Sequence, residues 1–217
     1  MAAAQLVLVI EARPGEATLE RVRAALEAAR FASALIVPAS GSRLEEAAVR
    51  SLVKLVQERD AAALIHSDAA LARKTGADGV HLEAMTGEVD VARVCADARA
   101  AVGKGQIVGI AISGLRHDAM VAGEAGADYL AFSGPQYREL VSWWAELFEP
   151  PCIALGETGT GVGLPQDTAL LVDAGADFIA VALPLAQTAG DIQALMRAHT
   201  QALIGGEEHG ALRSSAS

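Results

Sequence analysis

His66, Ser67 and Asp68 adjoin one another in the chain, and His81 and Glu83 follow after a short interval. Imidazole and carboxylate groups can take up and return protons, and carboxylate oxygens suit a hard cation such as Mg2+. Ser113, Ser133 and Gly134 add hydroxyls and a pliant backbone position, and Arg138 adds a cation. A second kind of chemistry is written in Gly156-Glu157-Thr158-Gly159-Thr160-Gly161-Val162-Gly163. No Lys follows these glycines, so they are not a Walker loop, and their alternation does not match the dinucleotide fingerprint. Backbone N–H groups that approach closely can hold a phosphate instead. A plainer reading stands beside each group. Asp68 can cap the helix it precedes. His81 can be a hydrogen-bonded interior residue, the glycine run can be a loop without a ligand, and Glu157 would oppose an anion.

What must position these residues is an alternation of strands and helices. Gly76-Ala77-Asp78, Gly126-Ala127-Asp128 and Gly175-Ala176-Asp177 recur about fifty residues apart, which is room for two βα units. Each phrase follows a helical stretch and precedes an apolar run. Gly ends the helix because it accepts a left-handed conformation, and Asp opens the turn into the strand. Strands are expected at 6–10, 34–37, 62–66, 79–82, 107–113, 129–133, 152–155 and 178–183, as short apolar runs suited to parallel strands buried on both faces. Helical faces are carried by Leu19, Val22 and Leu26, by Leu44, Ala48, Leu52 and Leu55, and by Ile192, Leu195, Met196, His199 and Leu203. The pattern predicts an α/β chain folded as one (β/α)8 TIM barrel over 1–204, followed by a mobile tail at 205–217. A doubly wound open sheet is the alternative.

In a barrel, chemistry sits where strands end and βα loops begin. Glu11, Ser40, Gly41, His66, Asp68, His81, Glu83, Ser113, Ser133 and Gly134 would gather there. His66, Glu83, Ser133 and Gly134 are expected to line a ligand mouth, with His81, Ser113 and Arg138 as catalytic candidates and Asp68 as a weak metal ligand. Loops after the seventh and eighth strands often bind phosphate. That assigns a phosphate to Gly156, Gly159 and Gly161, with Ala182 and Leu183 opposite.

Composition narrows the partners. The net charge is −10, which opposes binding to nucleic acid and to anionic membranes. Any anionic substrate therefore needs a local positive site, a helix N-terminus or a metal. Cys95 and Cys152 show no metal-ligand spacing and no disulfide framework, as expected of reduced thiols in a cytoplasmic protein. The first apolar run is too short for a signal peptide or a membrane span. A homo-oligomer stays open.

From Ala62 to Gln187 the chain resembles the family of thiamine phosphate synthase and thiazole tautomerase. The family writes its fourth strand as Ala-Asp-Gly-Val-His-Leu, and Ala77-Asp78-Gly79-Val80-His81-Leu82 is a full match. Its sixth strand reads Gly-Ala-Asp-Tyr, apolar residues, then Gly-Pro, as in Gly126-Ala127-Asp128-Tyr129 leading to Ser133-Gly134-Pro135. Ala154-Leu155-Gly156-Glu157 keeps the first Gly of the family's Ala-Ile-Gly-Gly, and Ser67-Asp68 corresponds to its Asn-Asp.

The resemblance implies a compact barrel that joins a pyrimidine methyl diphosphate to a thiazole phosphate. It implies Mg2+ on the departing diphosphate and backbone amides on the thiazole phosphate. Several positions depart from the pattern. The basic residues expected near Val37 to Gly41 are missing, and the second metal Asp falls on Thr86. Gln136-Tyr137-Arg138-Glu139 replaces a Thr-rich segment with Lys, and Ser113 has no His in register, since His117 lies further on. The expectation is a thiamine phosphate synthase-like protein that binds a phosphorylated small molecule, with weak or absent synthase turnover unless Arg43 or Arg138 substitutes. The alternatives are a non-catalytic ligand- or partner-binding barrel, and a different metal-assisted barrel enzyme using Asp68, His81 and Glu83.

Overall fold

The computed structural model describes residues 3–85 and 89–214. Eight strands and eight helices alternate along them. The strands are β1 (Gln5–Ala12), β2 (Phe31–Pro38), β3 (Ala62–His66), β4 (Gly79–Met85), β5 (Ile107–Ile112), β6 (Tyr129–Ser133), β7 (Cys152–Gly156) and β8 (Phe178–Ala182). The helices are α1 (Glu16–Ala28), α2 (Glu46–Gln57), α3 (Ala69–Thr75), α4 (Val91–Val102), α5 (Arg116–Glu124), α6 (Tyr137–Leu147), α7 (Pro165–Asp173) and α8 (Ala189–Ser214). Neighbouring strands are all parallel, and β8 pairs with β1 to close the barrel. This is the expected TIM barrel, and the closure rules out the open sheet.

Alternation along each strand divides the apolar residues between two cores. Leu6, Leu8 and Ile10 face the helices, whereas Val7 and Val9 point into the barrel. Leu35, Leu64, Ala111, Tyr129, Ala131, Ile153, Leu155 and Ala180 complete the interior. Most of these are small or aliphatic, and the one aromatic is accommodated by a missing side chain. A Cβ on Gly109 would come within 1.9 Å of the Tyr129 ring.

The helical periodicity identifies the right elements but misplaces one stripe. The buried face of α2 is Val49, Leu52, Val53 and Val56, with Leu44 and Leu55 only partly buried at its margin. In α8, Ile192, Met196 and His199 are fully buried, as the spacing implies. The expected boundary at 204 falls inside this helix. Gly206 is buried against α7, where a Cβ would come within 2.8 Å of Val172 Cβ. The absent side chain at Gly206 permits this close helix–helix approach.

The recurrent Gly-Ala-Asp phrases lie at the N-terminal ends of β4, β6 and β8. Gly76, Gly126 and Gly175 have positive φ, as the turn requires. Each Asp reaches sideways to the preceding strand. A carboxylate oxygen of Asp78 accepts from the Ala63 amide at 2.7 Å, that of Asp128 from Val108 at 2.7 Å, and that of Asp177 from Cys152 at 2.9 Å. The repeat is therefore a strand-to-strand brace at the end of the barrel remote from the βα loops. Among the described residues, no helix is long and apolar enough to cross a membrane.

Candidate functional site

At the C-terminal end of the barrel, β2, β3, β4, β5, β6 and β7 surround an axial cavity of about 280 Å3. Its floor and walls include Leu35, Val37, Ala111 and Leu155, and its polar lining is His66, His81, Glu83, Ser133, Thr158 and Thr160. Three of the four expected mouth residues, His66, Glu83 and Ser133, thus meet in one space. Gly134 lies just outside, with Ser113, along an adjoining groove of about 460 Å3 that shares Ser133 and Thr158 with the cavity.

His81 sits at the base of this space and is 2 % exposed. Its Nδ1 lies 2.8 Å from the Tyr129 hydroxyl, and the two rings are nearly parallel. Burial, with a smaller contribution from His66, pushes the His81 imidazolium down to about 3. Burial likewise raises the Tyr129 phenol above its ordinary range. Both groups are therefore neutral near pH 7, and the pair acts as a polar strut across the barrel. The His66 ring centre is 6.2 Å from that of His81. Burial lowers the His66 pKa, and the Glu83 carboxylate partly offsets this.

Ser67 joins the ends of β3 and β4. It adopts φ 48°, an uncommon left-handed conformation for a residue with a side chain. Its amide donates to the His81 carbonyl at 2.9 Å, and its Oγ accepts from the Glu83 amide at 2.8 Å. These bonds fix the backbone from which Glu83 enters the mouth. Asp68 takes its plainer role: a carboxylate oxygen accepts from the Leu71 amide at 2.8 Å and caps α3. Asp68, His81 and Glu83 do not make a metal site, for no group of three or more His, Cys, Asp or Glu side chains among the described residues could hold an ion. Thr86 lies outside the described residues.

The two candidate substitute cations are not in the axial cavity. Arg138 lines a lateral groove of about 470 Å3 with Tyr137, Glu157, Gly161 and Asp167. Its guanidinium is 2.7 Å from the Asp167 carboxylate and donates through Nε to the Tyr137 hydroxyl at 3.0 Å. Arg43 is exposed in the β2–α2 loop. His117 is exposed on α5. At the rim, Glu11 pairs with Arg13 at 2.9 Å.

The glycine-rich loop after β7 is bound to the barrel by its own amides. Gly161 N–H donates to Leu155 at 2.9 Å and Gly159 N–H to Gly156 at 3.3 Å. Val162 and Ala182 exchange bonds that attach the loop to β8: Val162 N–H donates to Ala180, and Ala182 N–H to Val162. Leu183 N–H donates to Val9. Four of the five positions expected to hold phosphate, Gly159, Gly161, Ala182 and Leu183, thus direct their amides to carbonyls. The glycines serve this packing, since a Cβ on Gly161 would come within 2.8 Å of the Ala182 nitrogen. Among the described residues, the amides of Thr158 and Thr160 carry no such bond.

Both cysteines are buried and free. Burial raises the Cys95 thiol and pushes the Cys152 thiol up to about 12, so neither is an activated nucleophile. Sequence reasoning did not single out Tyr129 or the tether made by Ser67. A signal for Tyr129 existed, because a Gly inside an apolar strand often marks a close approach, and Gly109 is one.

Barrel geometry alone is shared by many activities. Residues 6–185, however, match the family described as thiamine monophosphate synthase. The chain belongs to that family. A thiamine-phosphate synthase from Rhodospirillum centenum is 42% identical over 146 residues, covering 62% of this chain and 65% of that protein. One from Erythrobacter litoralis is 35% identical over 178 residues, covering 75% of this chain and 78% of that protein. The match therefore spans just under two thirds of the first relative and more of the second. A solved thiamine phosphate pyrophosphorylase from Pyrococcus furiosus superposes with a TM-score of 0.70 at 20% identity, over 93% of this chain and 96% of that one. At that identity it supports the family's fold.

Proposed function

We propose that this chain is a thiamine phosphate synthase-like protein of thiamine metabolism, binding a phosphorylated small molecule at the barrel mouth with weak or absent synthase turnover. The observation that carries this reading is the charge of the axial cavity. Glu83 is the one acidic side chain among its described lining residues, and neither Lys nor Arg joins it. The reaction implied by the resemblance expels diphosphate, whose developing charge must be neutralised. Arg138 stands to the side and is already paired with Asp167. Loss of one such electrostatic contact commonly costs about 10²–10³ in rate, and several losses need not multiply.

Mg2+ would supply the missing positive charge in a family enzyme. The described residues do not fit it, because Asp68 is engaged as a helix cap and no carboxylate cluster stands beside it. The phosphate is assigned to the loop after β7, where the amides of Thr158 and Thr160 have no carbonyl partner among the described residues and Thr158 lines both the axial cavity and the lateral groove. The charge of −10 supports partners that are small molecules rather than nucleic acid or anionic membrane, and the two free thiols support a cytoplasmic protein.

The test is incubation of purified protein with the pyrimidine methyl diphosphate, the thiazole phosphate and Mg2+, with thiamine phosphate assayed directly. Trace formation or none is expected. Robust formation that disappears in Asp68→Ala would overturn the reading.

A further inference from the structure

We infer that the N-terminal end of the barrel, remote from the mouth, is a homodimer interface, at which a second copy of this chain covers a groove between α1 and α8. The groove measures about 910 Å3 and lies where β1, β2 and β8 begin. Leu26, Phe31, Phe178 and Leu203 form its apolar bed. Ile204 follows Thr200 of the groove wall by one helical turn and stands 53% exposed on that side of α8. Every polar side chain described along the groove is exposed or half-buried, so none is fixed in place to orient a small ligand.

Charge selects the occupant. The chain carries a net −10, so two copies repel each other over most of their surface. At this groove the charges balance locally. Glu27 is paired with Arg59 at 3.4 Å. Arg30 and Asp60 line the same groove with opposite signs, and neither makes an ion pair or a side-chain hydrogen bond among the described residues. In a two-fold contact, two different residues that meet across the interface do so twice. Arg30 of one copy then meets Asp60 of the other, and the reverse, at the rim of a shared apolar centre.

The surface is also held in shape. Arg59 donates through Nη1 to the Leu26 carbonyl at 3.4 Å, which fastens the turn carrying Asp60 to the end of α1. The helix α8 is 26 residues long, twice the 13 of α1 against which it packs. Gly206 lies against Val172, next to the end of α7 at Asp173, so residues 207–214 carry α8 on past that end. Two turns of helix hold little structure in water by themselves. A second copy seated on the groove brings a surface alongside them.

Sedimentation equilibrium of the full chain over a range of concentrations tests this. Wild-type protein is expected to form a reversible dimer, and Ile204→Glu, which buries a charge in the contact, to stay monomeric where wild type is dimeric. Arg30→Gln and Asp60→Asn should each weaken the dimer by about fivefold, since either change breaks both copies of the pair. Asn suits the left-handed backbone of Asp60, whose φ is 57°. The double variant should be no weaker than either single one, because the two residues share one interaction. Melting curves of the four variants that match wild type show that each is folded. A wild-type chain that is monomeric at every concentration overturns the inference, as does a dimer indifferent to Ile204→Glu. Losses from Arg30→Gln and Asp60→Asn that multiply in the double variant overturn the pairing on which it rests.

Discussion

The imidazole of His81 on β4 is hydrogen-bonded to the phenol of Tyr129 on β6, with Nδ1 2.8 Å from the hydroxyl and both side chains buried inside the barrel. The bond spans the width of β5, and it is possible because β5 presents Gly109 where the Tyr129 ring crosses. Tyr129→Phe removes the hydroxyl and strands a buried imidazole nitrogen, at an expected cost of about 1–3 kcal/mol. Gly109→Ala should be at least as damaging, because its methyl group would overlap the ring. Urea denaturation of both variants measures this, and wild-type stability in either would show that the strut carries little.

Acid should destabilise the protein through its buried histidines. His81 is pushed down to about 3, and His199, buried between α7 and α8 with Nδ1 2.7 Å from the Thr168 hydroxyl, to about 4. Each binds fewer protons folded than unfolded, so the stability it contributes is complete above the ordinary value of 6.5 and is lost as pH falls toward the folded value. A series of denaturation curves from neutral pH downward should decline through that window. His199→Gln should flatten part of the decline between 6.5 and about 4, and an unchanged slope would refute the assignment.

Asp68 separates a structural role from a metal role. As the α3 cap it accepts the Leu71 amide, so Asp68→Ala should cost about 1 kcal/mol while Asp68→Asn, which can also cap, should cost much less. Neither difference should depend on added Mg2+. A stability gain on Mg2+ addition that only the wild type displays would restore Asp68 as a ligand.

The Asp braces at the far end of the barrel should matter more than their exposure suggests. Asp177→Ala leaves the Cys152 amide at the start of β7 without its acceptor, with an expected loss of about 1.5–3 kcal/mol, as for other hydrogen bonds to charged groups. The ligand affinity of the folded variant should not change, because the brace and the mouth lie at opposite ends. A variant with normal stability but altered ligand binding at the mouth would contradict this division.

The barrel was legible in the sequence because its signals are local. An apolar run of strand length, a glycine able to turn left-handed and an Asp after it report the same βα unit wherever they occur, and Gly76, Gly126 and Gly175 did so at regular intervals. The mouth residues His66, Glu83 and Ser133 were legible for a related reason. Once strands are parallel and the barrel closed, residues at strand ends have one place to go. Local pattern was weaker for α2, where two adjacent apolar stripes competed and only packing against the sheet chose Val49 and Val53.

What tertiary structure decided was which partner each polar group would find. Nothing near Tyr129 in the chain names His81, and nothing near Asp177 names Cys152. The glycines after β7 looked like phosphate ligands because their amides are accessible in principle, but the amides of Gly159 and Gly161 go to the carbonyls of Gly156 and Leu155 in β7. Arg138 looked able to reach the mouth, and Asp167 from α7 holds it at the side. Sequence determines the order and type of elements through interactions a few residues long. The charge and hydrogen-bonding state of the site depend on groups that only barrel closure brings within reach.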